Sequence, residues 1–380
     1  MTLYNPSARI GRADNRSEIN LYRQWVLPLF FKLEPETAHW VAMEGIRLAG
    51  QIPFGLQCLA GLFGLEDARL ETDVFGLHFR NPVGLAAGYD KDARAVRELT
   101  ALGFGHLEVG TVTPLPQAGN PRPRIFRIPE DKVVINRMGF PNQGARAMCT
   151  RLRRAHSRPI QARVGVNIGK GRQTPLERAT EDYSQLLRQV HPYADFVTVN
   201  VSSPNTPDLR KLQNKQALAE LLGELAQVRA AACPETPLLV KIAPDLTFAE
   251  IDNVLDVAAA AGVSGIVATN TTSNRHGVGS RRPARNESGG MSGEPLQRRS
   301  TRIIRHIYRQ TKGAMPIIGV GGVNSVDAAL EKIKAGASLV QVYTGLIYQG
   351  PGLVRAINQG LANRMSALGL ERIGELVGTG

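Results

Sequence analysis

From residue 81 onward the chain alternates two patterns. Short apolar runs, many of them β-branched, end in glycine or a small polar residue, and a stretch with helical spacing follows each. The runs are NPVGLAAG (81–88), HLEVGTV (106–112), ARVGVNIG (162–169), DFVTVNVS (195–202), PLLVKIA (237–243), GIVATNT (265–271), PIIGVGG (316–322) and LVQVYTG (339–345). Between them stand helical patterns such as DARAVRELTALG, QALAELLGELAQVRAAA and DAALEKIKAG. Eight strands alternating with helices predict a closed parallel (β/α)8 barrel, with an open doubly wound sheet as the alternative.

Two connections are too long to be turns. Residues 113–161 contain PLPQAGNPRPRIFRIPED and residues 271–298 contain TTSNRHGVGSRRPARNESGGMSGEP. Both follow strand C-terminal ends, where a barrel keeps its active site, so both are expected to be functional.

The first 70 residues read differently and are expected to form a small helical unit ahead of a barrel over 71–380. LYRQWVLPLFFKL and ETAHWVAMEGIRLAG suggest two short helices around a Pro-Glu-Thr break, with Thr37 as a cap for the second. Leu21, Trp25, Leu29 and Phe30 make one apolar stripe; Trp40, Val41 and Ile46 make another. Two readings stand: a helix pair packed on the barrel, or a hairpin lying in a membrane surface with Arg23, Lys32 and Arg47 at its edge. Residues 1–20 carry Arg9, Arg12 and Arg16 but also Asp14 and Glu18, acidic content that a transit peptide lacks.

Composition narrows the partners. The 380 residues carry a formal net charge of +13, which favours an anionic small molecule, an acidic membrane surface or nucleic acid. The arginines are scattered with few aromatics between them, so no nucleic acid is expected. The 3 cysteines, Cys58, Cys149 and Cys233, include no CxxC, which removes a disulfide framework and a structural zinc site.

In a closed barrel the strand C-termini converge. That brings together Gly88 and Lys91, Thr111, Asn167, Asn200 and Ser203, Lys241, Thr269 and Asn270, Gly321 and Gly322, and Tyr343 and Thr344. Only the two lysines are charged. Amides, hydroxyls and glycines suit a planar, negatively charged ligand with many hydrogen bonds, not a metal, which wants clustered carboxylates or imidazoles. GVGGV and YTG stand after strands seven and eight, where barrels hold a phosphate. Lys241, at the end of an apolar strand, is either a Schiff-base nucleophile or a cation beside an electron-rich cofactor ring.

NPVGLAAGYDKD, EVGTVTPLPQAGNPRPRIFRIPED, INRMGF, GVNIGK, VNVSSPNTPDLR, VKIAPDL, TNTT, GGMSGEPL, PIIGVGGV and VQVYTGLIYQGP stand in order along the chain. From about residue 20 to 362 it resembles the class 2, membrane-associated dihydroorotate dehydrogenases. The resemblance implies a TIM barrel that binds FMN, oxidises dihydroorotate to orotate in pyrimidine biosynthesis and passes the electrons to a membrane quinone. It implies a peripheral protein on the cytoplasmic face of a bacterial membrane rather than in a mitochondrion.

Carried over residue by residue, the resemblance implies FMN against Ala86, Ala87, Gly88, Thr111, Asn167, Asn200, Lys241 and Thr269. The FMN phosphate falls at Gly293, Gly322, Tyr343 and Thr344. The substrate falls among Lys91, Asn136, Arg137, Met138, Gly139, Phe140, Asn200, Asn205, Asn270 and Thr271. Ser203 is implied as the catalytic base, with a proton relay through water and Thr206 near Phe140. His39 and Arg127 are candidates for polar contacts to the quinone. No metal is implied.

At one place the chain departs from the pattern: GFPNQG has Pro141 where family members often carry Asn, and Asn142 follows. Two other chemistries stay open: a soluble FMN enzyme with another acceptor, and a Schiff-base aldolase using Lys241.

Overall fold

A computed structural model describes residues 21–380; the readings made on residues 1–20 lie outside it. A hairpin of β1 (Thr72–Val74) and β2 (Leu77–Phe79) precedes β3 (Val83–Leu85), β4 (His106–Val112), β5 (Ile125–Ile128), β6 (Val133–Asn136), β7 (Arg163–Ile168), β8 (Phe196–Asn200), β9 (Leu238–Ile242), β10 (Gly265–Ala268), β11 (Gly290–Gly293), β12 (Ile317–Val320) and β13 (Leu339–Val342). Eight of these, all parallel, close in the order β3-β4-β7-β8-β9-β10-β12-β13. Each lies within one of the eight runs read from the sequence, and the open-sheet alternative falls.

Parallel barrel strands are covered on both faces, which is why β4, β8 and β9 are buried along their whole length. The lower interior is filled by Phe196, Leu239, Val267, Ile318 and Leu339, with Val74 and Phe79 of the hairpin closing the bottom. His106 is also inside, its ring edge-on to Phe79 at 5.7 Å and to Phe196 at 6.4 Å. Gly84 makes room for it: a Cβ there would stand 2.1 Å from the imidazole.

The two long connections meet. β5 and β6 from the first pair with β11 from the second in one three-stranded antiparallel sheet above the barrel mouth. This sheet brings Asn136 opposite Gly290 and Val133 opposite Gly293.

Ahead of the barrel, a π-helical turn (Tyr22–Val26) runs into α1 (Leu27–Lys32), followed by α2 (Pro35–Ala49) and α3 (Gly55–Phe63). The first two match the helices expected; the third was not foreseen. The cap of α2 is Glu34 rather than Thr37. Its carboxylate accepts from the Thr37 N–H at 2.9 Å, with Pro35 in the first turn, where a missing N–H costs nothing. Inward, Ala38 and Met43 are buried, and Ile46, Leu59 and Phe63 pack against the main core. Outward, Leu21, Trp25, Leu29, Trp40, Phe54 and Leu62 are each more than half exposed. The segment therefore both packs on the barrel and presents an apolar face. Arg47 is no free edge cation, being paired with Glu44 at 2.8 Å. No helix among the described residues is long and apolar enough to cross a membrane.

Candidate active site

The barrel floor is an interlocked set of amides and hydroxyls at strand ends. Asn200, ending β8, donates to Thr111 Oγ1 (3.0 Å) and Asn167 Oδ1 (3.1 Å), and Thr111 donates to the same Asn167 oxygen (2.5 Å). Asn270 donates to Asn200 Oδ1 (3.2 Å) and Ser202 Oγ (2.9 Å). Neutral donors and acceptors satisfy one another here, so the floor stays polar while excluded from water.

Beneath it lies a carboxylate that the sequence reading missed. Glu108 is fully buried in β4 and accepts from Asn167 Nδ2 (2.6 Å), Gln341 Nε2 (2.7 Å) and Lys241 Nζ (3.4 Å). The signal was present: Lys241 in an apolar strand needs a counter-charge, and Glu108 sits in an equally apolar one.

One cavity opens at the strand C-termini. Ala86, Ala87, Gly88, Thr111, Asn200, Lys241, Thr269, Gly293, Gly322, Tyr343 and Thr344 line it, with Lys91, Asn136, Met138, Phe140, Ser203, Asn205, Asn270 and Thr271. Of the residues carried over for flavin, substrate and proton relay, four sit elsewhere. Asn167 lies one layer down, under Thr111 and Asn200. Arg137 pairs with Glu287 (2.5 Å) and stacks on Phe126. Gly139 adopts φ 69° and lends its carbonyl to Gln117. Thr206 is buried beyond the lining. Asn142, shifted by Pro141, holds the loop: it donates to Thr113 Oγ1 and the Phe140 carbonyl, both at 2.8 Å. Pro141 thus leaves the lining positions Asn136 and Phe140 in place.

Ser203 is buried in the loop after β8, where its Oγ accepts the Asn205 N–H at 3.2 Å. Lys91 donates to the Gly88 carbonyl at 2.5 Å. Burial pulls its ammonium down to about 8, against the opposing pull of Glu36. Two acceptors in the lining, Gln341 Oε1 and Asn205 Oδ1, are buried without a partner among the described residues.

A second cavity, about 490 Å³ and mostly apolar, runs between α1, α2 and the barrel, past Phe30, Ala38, Ala42 and Val134. Asn136 and Tyr343 line both cavities. His39 and Arg127 line the second. Burial and then the Lys91 charge push His39 down to about 3, so its imidazole is neutral. Arg127 is largely committed to α1: it donates to the carbonyls of Phe30 (3.1 Å) and Phe31 (3.4 Å) and stacks over the Phe31 ring.

Comparison with known proteins gives the family. The dihydroorotate dehydrogenase family model matches residues 69–365. The chain belongs to the dihydroorotate dehydrogenase family. It is 50% identical to the dihydroorotate dehydrogenase (quinone) of Acidithiobacillus ferrooxidans over 337 residues, 87% of this chain and 92% of that protein. With the protein of the same name from Christiangramia forsetii it shares 47% over 339 residues, 89% of this chain and 98% of the other. Among solved structures, dihydroorotate dehydrogenase from Eimeria tenella in complex with ferulenol superposes with a TM-score of 0.82. That protein is 36% identical, with 91% of this chain and 95% of that one covered.

Proposed function

We propose that this dehydrogenase-family chain oxidises (S)-dihydroorotate to orotate in pyrimidine biosynthesis, with FMN as its cofactor and a membrane quinone as the final acceptor. One observation carries the reading. A mouth furnished with amides, hydroxyls and two lysines shares a wall at Asn136 and Tyr343 with a more apolar tunnel, so two substrates of opposite polarity can reach one centre.

The residues fit a flavin. The orphan Gln341 oxygen calls for an N–H donor in the mouth, and the Lys241 ammonium lies beside it as a cation for an electron-rich ring. Ala86, Ala87, Gly88, Thr111, Asn200, Lys241 and Thr269 would hold the ring, with Asn167 bracing Asn200 from below. Gly293, Gly322, Tyr343 and Thr344 would hold the phosphate. When bound, FMN supplies the two-electron acceptor for the hydride that leaves C6 of the substrate.

The protein's own part is positioning and one proton. Lys91 meets the substrate carboxylate. Asn136, Asn200, Asn205 and Asn270 each offer a donor and an acceptor to the ring, and the unpartnered Asn205 Oδ1 is an acceptor for a ring N–H. Ser203 Oγ takes the C5 proton as its own hydroxyl proton passes through water towards Thr206, so the serine stays neutral. The Asn205 N–H donates to the serine oxygen and helps to hold it at the mouth.

The Lys241–Glu108 pair weighs against a Schiff-base aldolase, whose nucleophile must be a free amine. The exposed apolar face of α1–α3, with Arg23 and Lys32 exposed beside it, suits peripheral docking on the cytoplasmic face of a bacterial membrane. The test is anaerobic addition of dihydroorotate to the yellow protein. Bleaching of the flavin band followed by recovery on adding a quinone is expected. A flavin that stays oxidised overturns the reading.

A further inference from the structure

Asn120 lies in the GNPRPR stretch of the first long connection, outside the lining of the mouth. Its hydrogen bonds nonetheless reach the residue that orients Ser203. The side-chain Nδ2 donates to two carbonyls, Arg137 (2.9 Å) and Asn205 (3.2 Å). Its Oδ1 accepts from Arg172 Nη1 at 3.2 Å. Both carbonyls need a donor and the guanidinium needs an acceptor, so these partners set the orientation of the amide. The backbone N–H donates to Met138 at 2.9 Å. Gly139 makes the seat: a Cβ there would stand 2.8 Å from Asn120 Cγ.

Asn205 is held at three points. Asn120 takes its carbonyl, Asn136 Oδ1 takes its side-chain Nδ2 at 3.1 Å, and its N–H points at Ser203 Oγ. Behind Asn120 stands a rigid post. Arg124 is buried, donates to the Asn120 carbonyl at 2.9 Å and grips Glu36 of α2 with two bonds of 2.6 and 3.0 Å. Such a planar, two-point pair fixes both partners.

We propose that Asn120 is a positioning residue: it pins the Ser203–Asn205 segment over the mouth and ties it, through Arg124 and Glu36, to the helix that lines the apolar tunnel. The proposal rests on Ser203 being the base. A proton-abstracting group displaced by a fraction of an ångström loses rate while the ligand still binds.

The experiment compares Asn120→Ala and Asn120→Asp with wild-type holoenzyme. Aspartate keeps the shape and the Arg172 contact but cannot donate to either carbonyl, so it carries the test if the alanine variant folds poorly. Both variants are expected to slow anaerobic flavin reduction at saturating dihydroorotate by roughly three- to tenfold, the size of one neutral hydrogen bond. Orotate affinity, read from the flavin spectrum, is expected to change less than the rate. Reoxidation by quinone is expected at the wild-type rate. Amide exchange in the orotate complex is expected to speed up at residues 203–210 and not in the barrel strands. Wild-type reduction rates with unchanged exchange at 203–210 overturn the proposal. Ser203→Ala run alongside separates the two claims. If it reduces flavin at the wild-type rate, the base assignment fails, and the exchange data alone decide whether Asn120 pins the segment.

Discussion

Lys241 Nζ lies 3.4 Å from Glu108 Oε1, and both side chains are buried, at 6% and 0% exposure. The pair joins β9 to β4 across the barrel interior beneath the mouth. Removing one partner leaves the other charged and dry, which costs roughly 3–5 kcal/mol. Glu108→Leu is therefore expected to lose stability on that scale in urea unfolding, and Glu108→Leu/Lys241→Met to recover most of it. A single variant as stable as wild type would mean that the pair is not charged in the folded protein.

Ser203→Ala is expected to retain flavin and orotate binding while slowing flavin reduction by roughly 10²–10⁴, the usual contribution of a positioned base. Stopped-flow reduction near the wild-type rate sinks the assignment.

With the substrate carboxylate at Lys91, as proposed above, orotate binding is expected to have a pH limit. Its ammonium titrates at about 8 because burial disfavours the charge. Below pH 8 the cation is present and the carboxylate is expected to bind. Above it, the ligand must draw a proton back, so affinity falls by up to about tenfold per pH unit. Titration at pH 7 and pH 9 should show this loss. Lys91→Met should bind roughly ten- to hundredfold more weakly at pH 7 and lose the pH dependence. Equal wild-type affinities at the two pH values place the substrate carboxylate elsewhere.

His106 makes folding sensitive to acid. Burial pushes its imidazole down to about 3, from an ordinary value near 6.5. Because the folded value is the lower one, the unfolded chain binds the extra proton first. Stability is whole above about pH 6.5 and drains as pH falls towards 3. At pH 5 the loss is roughly 2 kcal/mol. His106→Phe, which keeps a ring against Phe79 and Phe196, should lose about that much less than wild type between pH 7 and pH 5 in urea unfolding. Parallel losses in the two proteins rule His106 out as the sensor.

Gly45 lines the apolar tunnel from α2, and a Cβ there meets nothing within 4 Å. Gly45→Phe should fill that space. Turnover with a long-tailed quinone is expected to drop several-fold while flavin reduction by dihydroorotate is unaffected. Replacing a helix-interior glycine should leave thermal stability intact or raised. Undiminished quinone turnover in the folded variant means that the acceptor arrives by another route.

The barrel could be read from the linear order because each of its strands is apolar along its own length. Burial on both faces is a property of one segment, and so is the switch to helical spacing after it. The strand-end chemistry was legible for the same reason. Closure brings every C-terminal end to one rim, so Asn200, Lys241, Thr269 and Tyr343 had to meet once eight strands were counted. Partnerships between distant segments were not legible. Two charges in apolar strands mark Glu108 and Lys241 as each needing a counter-charge, but their contact, like that of Gly293 with Val133, comes from the closed barrel and the sheet over its mouth. At α2, local propensity allowed Thr37 as a cap, but the backbone turned one residue before Pro35 and gave the role to Glu34. Asn120 shows the same division. Its side chain has ordinary loop chemistry, and its reach to Asn205 exists because Gly139 leaves a space that three-dimensional packing fills. Hydrophobic period and strand-end residue type are local and survive in one dimension. Charge pairing, capping choice and hydrogen-bond reach depend on which atoms arrive within about 3 Å of one another, and that is set only when the chain closes.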